Sequence, residues 1–178
     1  NNQETTWTAA LDAENIDPFR PAMTGCFRCP VNCRPMNDLA MGGQAYGDRY
    51  DSGDGPEYVT VGKLGPMLGI SDVAQVIRLN NIANDLGLDT ASFGSSLAWA
   101  MELYQRGILT REQTGGLEVS FGNYEVAEKL LFMTSRREGF GDTLAYSARA
   151  AEAGKYPAEA LRYRMAVKGL MQSDPHDP

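Results

Sequence analysis

The sequence predicts a mainly α-helical fold preceded by an irregular, cysteine-bearing segment. Three observations predict it. From residue 71 onward apolar residues recur at helical spacing. Period-two alternation, the signature of a half-buried strand, is scarce. Upstream of residue 71 the chain is broken by Gly, Pro and Asp and carries all three cysteines. The predicted division is 1–70, an irregular segment with the cysteines, and 71–178, a helical domain.

Each element follows from local signals. In 1–25, Asp17-Pro18 and Arg20-Pro21 interrupt regularity and leave room for one short helix. Residues 39–57, rich in Gly and Asp, read as a loop or loose hairpin. Ser71 is the expected N-cap of the first long helix, with Val73, Val76, Ile77, Ala83 and Leu86 on one face. Gly87 stops it at a left-handed C′ position. A second helix starts near Thr90 or Ser92, carries Phe93, Leu97, Ala100, Met101 and Tyr104 inward, and ends at Gly107. Trp99 lies on it as a core residue. Thr110-Arg111-Glu112-Gln113 has the capping-box pattern, and Leu117 to Phe121 reads as briefly extended. Asn123 caps a third helix to about Arg137, with Val126, Leu130, Leu131 and Met133 inward. Gly139 and Gly141 separate it from a fourth starting at Asp142. A fifth begins near Pro157, because Pro is favoured in a first turn.

Composition excludes several functions. A net charge of −7 and a pI near 4.7 oppose nucleic-acid binding, which needs a basic face for phosphates. No apolar stretch approaches the roughly 20 residues of a membrane span. The start, Asn1-Asn2-Gln3-Glu4-Thr5, lacks the basic and apolar regions of a signal peptide and reads as a chain entered in its middle. Three cysteines within eight residues suit a metal better than a disulfide framework. A reducing, cytoplasmic setting is therefore expected.

Cys26-Phe27-Arg28-Cys29-Pro30-Val31-Asn32-Cys33 is C-x2-C-x3-C. Three nearby thiolates can converge on one soft centre, and a 4Fe-4S cube takes four. Three readings compete: a cluster whose fourth ligand lies beyond residue 178, a zinc site completed by His176 or an Asp, or unmetallated core thiols. Arg28 either offsets cluster charge or is a solvated surface residue. Lys168, before Gly169, either reaches a phosphate or is solvated.

Beyond the cysteines the chain resembles the aldehyde ferredoxin oxidoreductase family of tungsten enzymes. The likeness begins at Gly25-Cys26 and includes Gly55-Pro56-Glu57-Tyr58, Leu64-Gly65 and Leu68-Gly69-Ile70. It continues through Asn84-Asp85-Leu86-Gly87-Leu88-Asp89-Thr90 and Ala98-Trp99-Ala100-Met101-Glu102, then Gly107-Ile108-Leu109-Thr110. Arg137-Glu138-Gly139-Phe140-Gly141-Asp142 and Val167-Lys168-Gly169-Leu170 complete it.

The resemblance implies an internal fragment, the helical middle domain of a larger tungsten oxidoreductase, inactive on its own. It implies that Cys26, Cys29 and Cys33 bind a 4Fe-4S cluster. A tungsten (or molybdenum) bis-molybdopterin would contact Asn84, Gly87, Leu88 and Asp89, where the family shows D-x-x-G-L-(C/D) and Asn84 replaces the first Asp. Glu57 becomes a candidate acid–base carboxylate, its alternative being a surface or cap role. Many relatives carry a second Glu after the Tyr, where this chain has Val59. The implied reaction oxidises aldehydes to carboxylic acids and passes electrons to ferredoxin or a ferredoxin-like subunit, in an oligomer. A benzoyl-coenzyme A reductase subunit acting on an aromatic acyl-CoA is the alternative within the superfamily. A non-catalytic iron–sulfur electron-transfer module is the alternative outside it.

Overall fold

The computed structural model describes residues 9–172; the predicted zinc candidate His176 lies outside the described residues. A short helix α1 (Ala13–Ile16) and a 3-10 turn (Asp17–Phe19) open it. Three antiparallel strands follow, β1 (Met23–Thr24), β2 (Arg34–Asp38) and β3 (Ser52–Asp54), in that spatial order. Thr24 lies opposite Arg34, and Met36 opposite Asp54. The 39–57 stretch is thus the hairpin loop and return strand of a small sheet.

Helix α2 (Tyr58–Leu64) and a 3-10 turn (Pro66–Leu68) lead to the long helices α3 (Val73–Asp85), α4 (Thr90–Gln105) and α5 (Tyr124–Arg136), then to α6 (Gly139–Leu144). A 3-10 helix (Ala158–Tyr163) and a two-stranded hairpin, β4 (Ala166–Val167) with β5 (Leu170–Met171), complete the described chain. The mainly helical expectation therefore holds only in part: the architecture is mixed, with helices dominating and two small antiparallel sheets. Among the described residues no helix is long and apolar enough to cross a membrane.

Helix boundaries follow capping chemistry. Asp72, not Ser71, caps α3, its carboxylate accepting from the Gln75 N–H at 2.9 Å. At the other end Leu88 N–H reaches the Ala83 carbonyl and Gly87 N–H the Asn84 carbonyl, with Gly87 at φ 68°. That is the Schellman pattern, which needs a left-handed residue. Gly107 ends α4 by the same pair of bonds. Asn123 caps α5 as expected. Helix α6 starts at Gly139 rather than Asp142, because Arg137 already takes the left-handed turn at φ 58°. The capping box at Thr110 and Gln113 forms reciprocally, but it closes a turn and not a helix. Residues 117–121 pair with no strand.

One core joins both halves of the chain. Leu11, Leu64, Leu68 and Ile70 pack with Leu79, Leu97, Met101, Leu103, Leu130 and Leu131. Trp99 is buried, stacks edge-on to Tyr156 at 4.9 Å and donates to the Ala160 carbonyl. Helices α2 and α4 cross closely: a Cβ at Gly94 would lie 2.6 Å from the Lys63 carbonyl oxygen.

Helix α3 is the axis, with nine of its thirteen residues buried. Val76, Leu79 and Ile82 enter the main core, while Ala74 and Ile77 join Phe19 and Leu39 in a second cluster. Its third side is polar. Arg78, 7% exposed, forks onto Asp48 at 2.7 and 2.9 Å, approaches Glu128 at 3.4 Å and lies 4.2 Å from the centre of the Tyr46 ring. Tyr124 donates to the same Glu128 carboxylate, and burial pushes its hydroxyl well above the usual phenol range.

The Arg78 hydrogen bonds hold the Asp48 carboxyl below the ordinary aspartate value of 3.8. A carboxyl lowered in the folded state stabilises fully above its unfolded value and ceases to do so as pH falls through the folded one. The urea midpoint of the full-length protein should therefore drop as pH is lowered below about 4. In Arg78→Met that Asp48-dependent portion should vanish, with a loss of about 1–2 kcal/mol at neutral pH from the lost charge-assisted hydrogen bonds to half-exposed carboxylates. A midpoint unchanged by the substitution would refute the role given to Arg78.

Candidate functional site

All three cysteines lie on the single connection between β1 and β2, residues 25–33. Its neck is tied across the strand ends: Thr24 Oγ1 donates to the Arg34 carbonyl at 3.2 Å, and Arg34 Nε donates to Thr24 Oγ1 at 3.3 Å. Inside the loop Cys29 N–H bonds the Cys26 carbonyl at 2.9 Å, making a tight turn between the first two thiols. Arg28 at φ 62° and Asn32 at φ 51° each immediately precede a cysteine. Non-glycine residues adopt this conformation at a cost, and such residues gather where a loop must present ligands. Gly25 is required for the closure, since a Cβ there would meet Asn32 Oδ1 at 2.5 Å and the Cys29 carbonyl oxygen at 2.9 Å.

Cys26 and Cys33 are exposed and Cys29 is half-buried. Phe27 and Val31 between them stand 91% and 68% exposed, and the Arg28 guanidinium lies over the Phe27 ring at 5.3 Å. The thiols are thus not core residues in separate apolar pockets. Among the described residues, however, no three of His, Cys, Asp and Glu are drawn into a ready-made ligand group. The donor chemistry suits a soft iron–sulfur centre, while the convergence of the sulfurs is not preformed. Metal binding and loop ordering are commonly coupled in this way.

The next component is the corner after β3. Gly55, at φ 84°, donates its N–H to the Pro35 carbonyl at 2.8 Å, two residues beyond Cys33, and the Gly55–Pro56 peptide is cis. Four asparagine side chains hold this corner. Asn37 and Asn81 exchange amide hydrogen bonds at 2.8 Å, and Asn37 also donates to the Gly55 carbonyl. Asn81 donates to the Tyr50 carbonyl, and Asn80 and Asn84 both donate to the Asp54 carbonyl at 2.7 and 2.9 Å. A Cβ at Gly53 or Gly55 would collide with the Asn81 or Asn80 amide. Glu57 then occupies the N-cap position of α2. Its backbone carbonyl accepts from Val61, but its exposed carboxylate makes no capping bond.

The third component is the α3–α4 turn. Asp89 caps α4, accepting from the Ser92 N–H at 2.5 Å, which leaves its second oxygen to other donors. Asn84 keeps its amide oxygen for an outside donor while its NH2 serves the corner. Gly87 is exposed and faces open space, so a flat ligand could approach its backbone. Leu88 is half-buried against the core. Beneath the turn a mainly apolar cavity of about 120 Å³ is lined by Leu88, Phe93 and Leu144, with Ser92, Ser96 and Thr134 as its polar groups. Thr134 Oγ1 is buried there without a partner among the described residues. The cavity can take water or one edge of a ring, but it is too small to enclose a whole pterin cofactor.

Strand β2 therefore links the cysteine loop to the Glu57 corner, and Asn84 links that corner to the turn ending in Asp89. A hydroxyl pair, Thr60 with Thr90 at 2.8 Å, joins α2 to α4 on the far side. The predicted residues belong to three neighbouring loops tied to one helix. Sequence reasoning missed Asn37, Asn80 and Asn81. Its available signal was Asn80-Asn81, two poor helix formers inside a strongly helical stretch.

The sequence pattern described as aldehyde ferredoxin oxidoreductase, domains 2 and 3, matches residues 1–178. The chain belongs to the aldehyde ferredoxin oxidoreductase family. It is 41% identical over 149 residues to a tungsten-containing aldehyde ferredoxin oxidoreductase of Pyrococcus horikoshii, covering 80% of this chain and 22% of that protein. It is 34% identical over 148 residues to a Pyrococcus furiosus aliphatic sulfonate oxidoreductase, WOR-like subunit, covering 81% and 23%. Among solved structures it is similar to the active site complex BamBC of benzoyl coenzyme A reductase with 1,5-dienoyl-CoA. There the TM-score is 0.69 at 25% identity, over 88% of this chain and 22% of that one. The chain spans about a fifth of the length of these relatives. This family member carries Asn84 where the pattern quoted above has Asp.

Asn84→Asp would restore that carboxylate but remove the donor to Asp54 and set an anion against its carbonyl. A stability loss of about 1–2 kcal/mol should appear in chemical denaturation of the full-length protein. Unchanged stability would mean that the Asn84 bond holds nothing.

Proposed function

We propose that this chain is the cluster-bearing, pterin-facing part of a tungsten-containing oxidoreductase that oxidises aldehydes to carboxylic acids. The observation that carries the reading is the placement of three soft donors on one solvent-facing loop, tied through β2 to the corner beside Asn84–Asp89. Cys26, Cys29 and Cys33 supply three thiolates of a 4Fe-4S cluster, whose fourth ligand comes from outside residues 1–178. Asn84, Gly87, Leu88 and Asp89 face a tungsten (or molybdenum) bis-molybdopterin. When bound, these groups supply two-electron chemistry at the metal and single-electron transfer at the cluster.

The chain's own residues hold and orient. The asparagine clamp fixes the corner, so Glu57 is presented from a braced helix start, where its carboxylate can hold or give up a proton. Asp89 offers one oxygen to a donor on the cofactor. Arg28 places a cation beside the thiolates and favours the reduced cluster. The electron acceptor is ferredoxin or a ferredoxin-like subunit, in a cytoplasmic oligomer. Residues 1–178 alone are expected to be inactive.

A second reading has support of its own. The structural likeness to a benzoyl coenzyme A reductase complex, with Val59 in place of a second carboxylate, favours reduction of an aromatic acyl-CoA.

Anaerobic purification of the full-length protein tests both. Iron, sulfide and tungsten should co-elute, and Cys26→Ser, Cys29→Ser or Cys33→Ser should each abolish the reduced-cluster electron paramagnetic resonance signal. Zinc alone in the purified protein would remove the enzyme reading. Turnover of aldehydes against benzoyl-CoA separates the two substrates.

A further inference from the structure

The region from the end of α5 to the β4–β5 turn departs from the chain's overall charge. Between Arg136 and Lys168 there are seven Lys and Arg and four Asp and Glu, in a chain of net charge −7. The surplus is concentrated at one basin. An open cavity of about 570 Å³ is lined by Tyr146, Arg149, Glu152, Ala153, Lys168 and Gly169. It is a shallow, open basin, and Arg149 and Lys168 both reach it from the surface.

The carboxylate in the basin is already neutralised: Arg164 binds Glu152 and also donates to the Ala148 carbonyl at 2.8 Å. At its rim, Arg137 and Lys155 share Asp142 at 2.7 and 2.6 Å, and lie 4.9 and 5.0 Å from the Tyr146 ring centre. Arg149 and Lys168 are different. Among the described residues neither enters a salt bridge nor gives a side-chain hydrogen bond. Arg149 also acts on Glu152 through space, but that carboxylate is hydrogen-bonded by Arg164, so among the described residues two cations without a contact ion pair line one cavity.

Their placement is built into the backbone. Val167 and Leu170 are paired, so Lys168 and Gly169 form a two-residue hairpin turn, both left-handed at φ 54° and 79°. Asn-Gly is the favoured pair for such a turn; lysine gains nothing from it conformationally. The Arg149 guanidinium packs on the turn itself, since a Cβ at Gly169 would lie 2.7 Å from Arg149 Nε. The turn therefore holds the Lys168 backbone beside the Arg149 fork.

We propose that this basin is an anion-binding site for a diphosphate group, taken between the Arg149 guanidinium and the Lys168 ammonium. A planar fork and a point charge together suit an anion of two or more charges. Inorganic pyrophosphate is the probe, titrated calorimetrically into the full-length protein, with ADP alongside. The expected result is saturable binding that weakens as salt is raised. Arg149→Gln and Lys168→Asn should each bind about tenfold more weakly, the loss of one charge-assisted hydrogen bond. Lys168→Asn suits the turn at least as well as lysine does, so it guards against misfolding as the cause. Absence of saturable binding, or wild-type affinity in the Lys168→Asn protein, would overturn the site. ADP binding tighter than pyrophosphate identifies an organic diphosphate and equal binding the free anion; both support the site.

Discussion

The fold depends on a polar clamp where a hydrophobic one would have been simpler. Asn37, Asn80, Asn81 and Asn84 join the short β2–β3 hairpin to the axis helix through side-chain and carbonyl hydrogen bonds. Buried amides are costly unless both ends of each are satisfied. Here the donors reach the carbonyls of Tyr50, Asp54 and Gly55, which a strand this short leaves without ladder partners. The same bonds position the corner, its glutamate and, through β2, the cysteine loop. Registration comes from directional bonds, because a short Gly-rich hairpin has too few apolar side chains to be positioned by packing.

A second constraint operates on the other side of α3. Arg78 binds Asp48 and nears Glu128 from within a nearly closed environment, with Tyr46 over its guanidinium. Its neighbours Asp48 and Asp51 belong to the β2–β3 loop, and Glu128 belongs to α5. One side chain thereby couples the hairpin to the helical layer. Loop and helices are held from both faces of α3, which keeps a Gly-rich segment in one conformation.

Much of the helical layer was legible. Ends marked by Gly87, Gly107 and Asn123, and the inward stripes of α4 and α5, follow from capping and period alone. Misjudgements fell where two local signals compete. Ser71 and Asp72 are both good caps, and it is Asp72 whose extended backbone brings its carboxylate onto the Gln75 N–H. Asp142 resembles an N-cap, yet the left-handed Arg137 lets the helix begin three residues earlier. The sheet was missed because its strands are two to five residues long and carry Arg, Pro, Asn and Asp, too short and too polar for alternation to show. Of the candidate site, the cysteines and the Gly87–Asp89 turn were readable as local motifs. The asparagines that brace the site were not, since each partners residues remote in the chain.

By itself the sequence determined the family, the helix ends and the grouping of three thiols within one short loop, because these rest on residues close together in the chain. Only the tertiary structure decided that the loop, the Glu57 corner and the Asp89 turn are neighbours, and that Arg149 packs on the Lys168-Gly169 turn. Those relations rest on hydrogen bonds and charges between segments far apart in sequence, whose meeting is set by how α3 is buried.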